Sequence, residues 1–115
     1  MQNSKRRAVA YIVGRYISKR DSGAIYDYNA GTHFSFSGSI DSSVNVYDYS
    51  RSNYLSGDIS SLYDYSTGQY INVNVTGYSF SGYDYETGSY FNGTVNDGSI
   101  NIYDYQEGRY FDYSI

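Results

Sequence analysis

Two alternating patterns run through most of the chain. In "VNVYDY", Val44, Val46 and Asp48 fall on one side of a period-2 run, and Asn45, Tyr47 and Tyr49 fall on the other. In "QYINVNV", Ile71, Val73 and Val75 share one side, and Tyr70, Asn72 and Asn74 share the other. A period of 2 marks a strand with one face buried. The same two runs recur across residues 23–115: "INIYDY" repeats the first, while Phe34 and Phe36, Phe91 and Val95, and Phe111, Tyr113 and Ile115 hold the inner positions of the second. One face is therefore aliphatic or Phe, and the other is Tyr, Asn and Ser.

The runs meet at a fixed landmark. Tyr-Asp-Tyr stands at Tyr26–Tyr28, Tyr47–Tyr49, Tyr63–Tyr65, Tyr83–Tyr85 and Tyr103–Tyr105, in steps of 21, 16, 20 and 20 residues. Gly31, Gly68, Gly88 and Gly108 follow three residues after the second Tyr, with Ser52 in that place in the second copy. Such self-similarity is the mark of a repeat architecture. A Gly at this point supplies the positive φ that closes a hairpin. Parity predicts Tyr85 opposite Tyr90 and Asp84 opposite Phe91, across a four-residue loop from Glu86 to Ser89, because a three-residue loop would mix the two faces. The second connections, "VTG" and "NDG", are also turn chemistry.

The pattern thus predicts a mainly β protein, an antiparallel meander of about ten short strands from five Tyr-Asp-Tyr hairpins. The 16-residue step fits if two residues leave each of two strands, which preserves both faces. Laid flat, ten strands at ~4.8 Å would span about 45 Å, more than one helix ~10 Å across can cover. The sheet is accordingly expected to be strongly curved or barrel-like, with dimerisation as a further way to bury leftover apolar surface. The alternative fold is a β-solenoid with 20-residue coils.

Residues 1–22 read differently. Val9, Ile12, Val13, Tyr16 and Ile17 recur at helical spacing, Asn3 or Ser4 is placed to cap, and Lys19 and Arg20 suit the C-terminal end. This predicts a basic amphipathic helix packed on the apolar side of the sheet, forming one folding unit with residues 23–115. A strand through Val9, Tyr11 and Val13 is the competitor, and a helix lying on a membrane surface or a partner is the functional alternative. "KRRAVAYIVGRYIS" resembles a signal peptide, but its apolar stretch is short, Arg15 interrupts it and no small-x-small site follows.

Charge sharpens this division. Residues 1–20 carry Lys5, Arg6, Arg7, Arg15, Lys19 and Arg20 and no acid; residues 21–115 carry all 12 acids against Arg51 and Arg109. The chain's net charge is −4. An acidic body argues against nucleic acid as a partner. The basic segment suits an anionic surface or the chain's own acidic body. The absence of Cys removes disulfides and thiolate chemistry.

The candidate binding surface is the Tyr face: Tyr26, Tyr28, Tyr47, Tyr49, Tyr63, Tyr65, Tyr83, Tyr85, Tyr90, Tyr103, Tyr105 and Tyr110. Phenol rings beside Asn and Ser suit glycans or a protein partner, and repetition would supply avidity. The competing reading is cross-strand packing. Asp27, Asp48, Asp64, Asp84 and Asp104 fall on the apolar side at strand ends, where an unpaired carboxylate is costly. They are expected to cap the loops by accepting backbone N–H groups or the Thr and Ser hydroxyls of "STG" and "ETG". They come singly rather than in calcium-loop spacing, so no metal and no cofactor is expected. His33 is the only His, and no catalytic motif is present. "NVT" at Asn74 and "NGT" at Asn92 match glycosylation acceptors.

The hairpin motif resembles the Tyr-Asp repeats of large bacterial shell proteins, although Asp precedes Gly by four residues rather than three. It also resembles choline-binding repeats, without the Trp residues of their ligand cage. Neither likeness extends beyond the hairpin. The sequence therefore points to a non-catalytic binding or structural module. A self-associating protein that uses strand edges is the alternative, and a carboxylate-based hydrolase is a third reading.

Overall fold

Each Tyr-Asp-Tyr unit forms a hairpin whose ladder closes one pair earlier than parity alone suggests. In the fourth unit Tyr83 faces Tyr90 and Asp84 faces Ser89, so the four-residue loop is Tyr85–Gly88 and the predicted register is shifted by two. The reason is the loop's geometry. Gly88 lies at φ 65° and its N–H donates to the Asp84 carbonyl at 2.9 Å, a turn that draws Asp84 and Ser89 into the last ladder pair. Ser52 adopts the same positive φ, 53°, in the second hairpin. A shift of two keeps every side chain on its own face.

The structure, a computed structural model, describes residues 1–115. The elements are α1 (Asn3–Ser18), β1 (Ala24–Asp27), β2 (Thr32–Ile40), β3 (Ser43–Asp48), β4 (Asn53–Asp58), β5 (Ser61–Asp64), β6 (Gln69–Thr76), β7 (Ser79–Asp84), β8 (Ser89–Asn96), β9 (Ser99–Asp104) and β10 (Arg109–Ser114). All neighbouring strands are antiparallel in chain order, and β1 pairs with β10 to close a ten-stranded barrel. Closure leaves no edge strand, so the edge pairing offered by the sequence as a route to self-association has no edge to use. The solenoid alternative is excluded by the same topology. In the short repeat, β4 and β5 have 6 and 4 residues where β6 and β7 have 8 and 6, two fewer in each strand.

The inner wall carries Val46, Leu55, Leu62, Ile71, Phe80, Phe91, Ile102 and their neighbours, all buried. Two inner glycines accept the largest rings. Phe80 faces Gly93, and Gly82 faces Phe91. A Cβ at Gly93 would lie 1.9 Å from the Asn101 carbonyl oxygen and 2.7 Å from the Phe80 ring.

The helix occupies the lumen. A ten-stranded barrel is wider than one whose interior side chains alone can fill, and α1 takes up the remainder. Lys5 to Gly14 are buried on every side of the helix, so α1 is enclosed rather than lying with one stripe on a sheet. Tyr11 stacks on Phe36 with centroids 4.5 Å apart, and Gly14 lets the helix approach Ile100. Neither Asn3 nor Ser4 caps it: Gln2 is the N-cap and makes no side-chain bond, while Lys19 ends the helix at φ 59°. Over Lys5–Gly14 no face is left for a membrane surface.

Removing residues 1–20 should empty the lumen and abolish cooperative unfolding in a circular-dichroism thermal melt. A truncated chain that melts like the intact one would refute the filling role.

Candidate functional site

Two features converge on the loop end of the barrel, one inside and one outside. Inside, each triplet Asp is the last inward residue of its incoming strand. Asp27, Asp48, Asp64, Asp84 and Asp104 form a ring, each 1% exposed or less. Each holds its own loop by accepting a backbone N–H two residues on, from Asn29, Ser50, Ser66, Glu86 and Gln106 at 2.9–3.1 Å. Thr87 and Thr67 add hydroxyl bonds to Asp84 and Asp64.

Capping alone leaves five buried negative charges, which are too costly to stand unpaired. The helix neutralises three of them. Lys5 Nζ reaches Asp84 at 2.6 Å, Arg6 Nε reaches Asp104 at 3.0 Å and Arg7 Nε reaches Asp27 at 3.0 Å. The Met1 amine also lies 3.0 Å from Asp104. Consecutive helix residues point about 100° apart, so three in a row can serve three carboxylates set about a fifth of a turn apart. The next residue round, Ala8, carries no charge. Arg51 supplies the far side from the second loop, where other repeats have Ala30, Thr67, Thr87 or Glu107. Its Nε bonds Asp48 and its Nη1 bonds Asp64, both at 2.8 Å.

The wall also rises on the side of Arg6 and Arg7. There β2 and β10 extend two residues further past the Asp level than β4, β6 and β8. The extra inward residues, Phe34 and Phe111, cover the Arg7 and Arg6 guanidinium groups at 3.3 and 3.4 Å from ring centroid. These cation–π lids replace water over two charges. The sequence reading offered the acidic body as one partner for the basic segment but named none of the ion pairs. Their signal was present in the segregation of charge and in Arg51, an isolated cation within a repeat position.

Burial raises the carboxyl pKa of Asp104, but the Met1 amine and Arg6 outweigh it, and the net shift is downward. Arg51 is shifted upward: burial opposes its charge, and Asp48 and Asp64 more than restore it. Tyr113, beside Asp27 in the ladder, is raised to about 12, first by burial. Its hydroxyl has no hydrogen-bond partner.

Outside, the tyrosines pack as five separate clusters. The first Tyr of each triplet (Tyr26, Tyr47, Tyr63, Tyr83, Tyr103) is half-buried at the centre of its cluster. It meets the second Tyr edge-on, and also the outgoing residue, which is His33, Tyr54, Tyr70, Tyr90 or Tyr110. Centroids are 4.7–4.9 Å apart and ring planes 65–80°. That is the favoured edge-to-face geometry. Tyr28, Tyr49, Tyr65, Tyr85 and Tyr105 each remain more than half exposed, as do Tyr90 and Tyr110. Their backbone N–H groups donate to the preceding outgoing strand, Tyr85 to Tyr70 and Tyr105 to Tyr90, and Tyr28 to Asp112 across the closure.

The intervals of this belt are closed unevenly. Asn72 bridges to the Tyr85 phenol and Asn92 to Tyr105, both at 3.0 Å, while Ser37 meets Tyr49 at 3.2 Å. The corresponding neighbours of Tyr65 and Tyr28 are Ser56 and Ser114, which make no such bond. A hollow of about 420 Å³ opens beside Ser56, lined by Asn45, Tyr47, Asn53, Tyr54, Ser56 and Tyr65; hollows of about 400 and 390 Å³ beside Tyr28 and beside Asn72 gather fewer belt rings.

No cluster of three or more His, Asp or Glu side chains is placed to hold a metal ion, and no helix is long and apolar enough to cross a membrane. Comparison with protein-family models, curated proteins and solved structures gives no match.

Arg51→Met leaves Asp48 and Asp64 buried without a cation and should cost about 3–5 kcal/mol in denaturant unfolding. An effect as small as that of an exposed substitution would remove Arg51 from the ion network.

The pH dependence has a definite sign at each end. A depressed Asp104 contributes stability above the ordinary carboxylate range, lost as pH falls through its folded pKa. Asp104→Asn should therefore be less stable at neutral pH and show a shallower acid loss. A phenol raised from 10.0 to about 12 loses stability as pH climbs through that interval. Tyr113→Phe should be neutral or stabilising by about 1 kcal/mol at neutral pH, and should lose less stability between pH 10 and 12.

Proposed function

We propose that the protein is a non-catalytic binding module, with glycans as its ligand class and the hollow over β3–β5 as its principal site. The observation that carries this reading is the convergence of three belt tyrosines on one hollow. Three intervals are closed by a side chain bonded to the exposed phenol, as a scaffold would be. Between Tyr54 and Tyr65 no such bond forms, and three phenol rings border an open space with two Asn amides.

That combination matches what a sugar demands. Its C–H faces lie against aromatic rings, and its hydroxyls need donors and acceptors in the same plane. Asn supplies both in one group. The ring positions are fixed by edge-to-face packing, so little order is lost on binding. The volume lies within the range of small-ligand sites. The Asp ring takes no part in this contact, because its carboxylates face the lumen and are held by cations. Its role in the reading is to fix the loops that carry Tyr65 and Tyr49.

A glycan array should show wild-type protein retaining a subset of neutral glycans. The double variant Tyr54→Ala/Tyr65→Ala should lose that binding at least tenfold. Tyr83→Ala/Tyr85→Ala, in a belt interval where Asn72 bridges the rings, should retain it. Equal loss in both variants, or no retained glycan, would reject the site.

A further inference from the structure

The opposite end of the barrel is not sealed by an ion ring. There α1 ends among the turns β6–β7 and β8–β9, and beside it lies a cavity of about 600 Å³. Its lining includes Ile17, Lys19, Tyr78, Val95, Asn96 and Asp97. We propose that this mouth is a binding site for a single-chain anionic amphiphile, such as a medium-chain carboxylate. Its apolar chain lies along Ile17 and Val95 and its head group meets Lys19.

Three observations support this, none of which involves the Tyr belt. The first is the charge balance. Asp97 is neutralised by Arg20 at 2.7 Å, and the neighbouring Arg15 by Asp21 at 3.2 Å. Lys19 makes no ion pair and no side-chain hydrogen bond; its ammonium group lies only over the Tyr16 ring at 5.7 Å. The uncompensated charge on the lining is therefore positive.

The second is the floor. Val95 is a core residue, and Ile17 is a partly covered side chain packed against that core. The base of the cavity is thus apolar at Ile17 and Val95, beneath a rim that carries Ser18, Lys19, Asn96 and Asp97. Tyr78 is 74% exposed at the lip and has no aromatic partner, unlike the belt tyrosines. It is placed to lie over a bound chain.

The third is backbone conformation. Lys19 and Asp97 are two of the three non-glycine residues with positive φ, at 59° and 57°. Lys19 takes this conformation as the residue that ends α1, and Asp97 takes it in the two-residue turn between β8 and β9. These conformations aim Lys19 and Asp97 at the same opening from two separate elements. An apolar floor, a single free cation and an exposed aromatic lip select an amphiphile over a sugar or a dianion.

Isothermal titration of the full chain with decanoate, and with 1-decanol as the uncharged counterpart, tests this. Decanoate should saturate one site per chain. Lys19→Gln should weaken decanoate about tenfold and leave decanol unchanged. Tyr78→Ala should weaken both. Lys19 and Tyr78 are exposed, and a thermal melt establishes that each variant is folded. Absence of saturable decanoate binding, binding that Lys19→Gln does not alter, or binding of both ligands untouched by Tyr78→Ala would each overturn the proposal. Because Tyr54 and Tyr65 lie elsewhere, failure here would leave the glycan reading unaffected, and the reverse also holds.

Discussion

The rest of the structure depends on one constraint: five carboxylates sit inside a closed barrel and must be neutralised there. The hairpin repeat creates the problem, since an Asp that caps its own loop on the inward side is duplicated with every unit. An isolated hairpin would leave that Asp in water. Closure removes the water, and the cost of burying charge then falls on whatever occupies the lumen. The run Lys5-Arg6-Arg7 and the single Arg51 answer this requirement. Loop geometry, helix placement and wall height are all set where those charges meet, down to the two extra residues that bring Phe34 and Phe111 over the guanidinium groups.

The outer face follows from the inner one. Each Asp fixes a loop, and each loop carries a Tyr back over the hairpin before it. The aromatic belt is therefore a consequence of closing five turns in a row, and its uniformity is structural. Function is better sought where the uniformity fails. Ser56 stands where Asn72 and Asn92 stand in later repeats, and Ser52 where other loops have Gly. Both departures fall in the second hairpin, which also carries Arg51 and contributes to the shortened step.

Much of the architecture was legible because alternation and repeat length act locally. The period-2 runs gave strands, faces and turns, and the two-residue shortening of β4 and β5 was readable from the 16-residue step. The width of ten strands made curvature necessary. The hairpin register differed by two, since parity fixes faces but cannot distinguish Tyr85–Tyr90 from Tyr83–Tyr90; the turn around Gly88 decides between them. The helix was recognised from its Val9-to-Ile17 stripe, yet a stripe describes one face, and Ala8, Ala10 and Gly14 are buried because the barrel surrounds them. Long-range partners such as Arg7 with Asp27, or Arg51 with Asp64, carry no local pattern. Only the imbalance of charge between the first twenty residues and the remainder pointed toward them.

Barrel closure also imposes an order of events. The contact that makes the barrel, Tyr26 with Ser114, joins the first strand to the last, so no enclosed lumen exists until β10 is in place. Until then, each finished hairpin presents an apolar wall and an inward Asp to solvent. The helix is available from the start, and its three adjacent cations can collect the carboxylates as they arrive. On this view α1 is a mandrel: the sheet is wound around it, and the seam between β1 and β10 is sewn last. The rate of that final step is governed by the loop-closure entropy of bringing distant segments together.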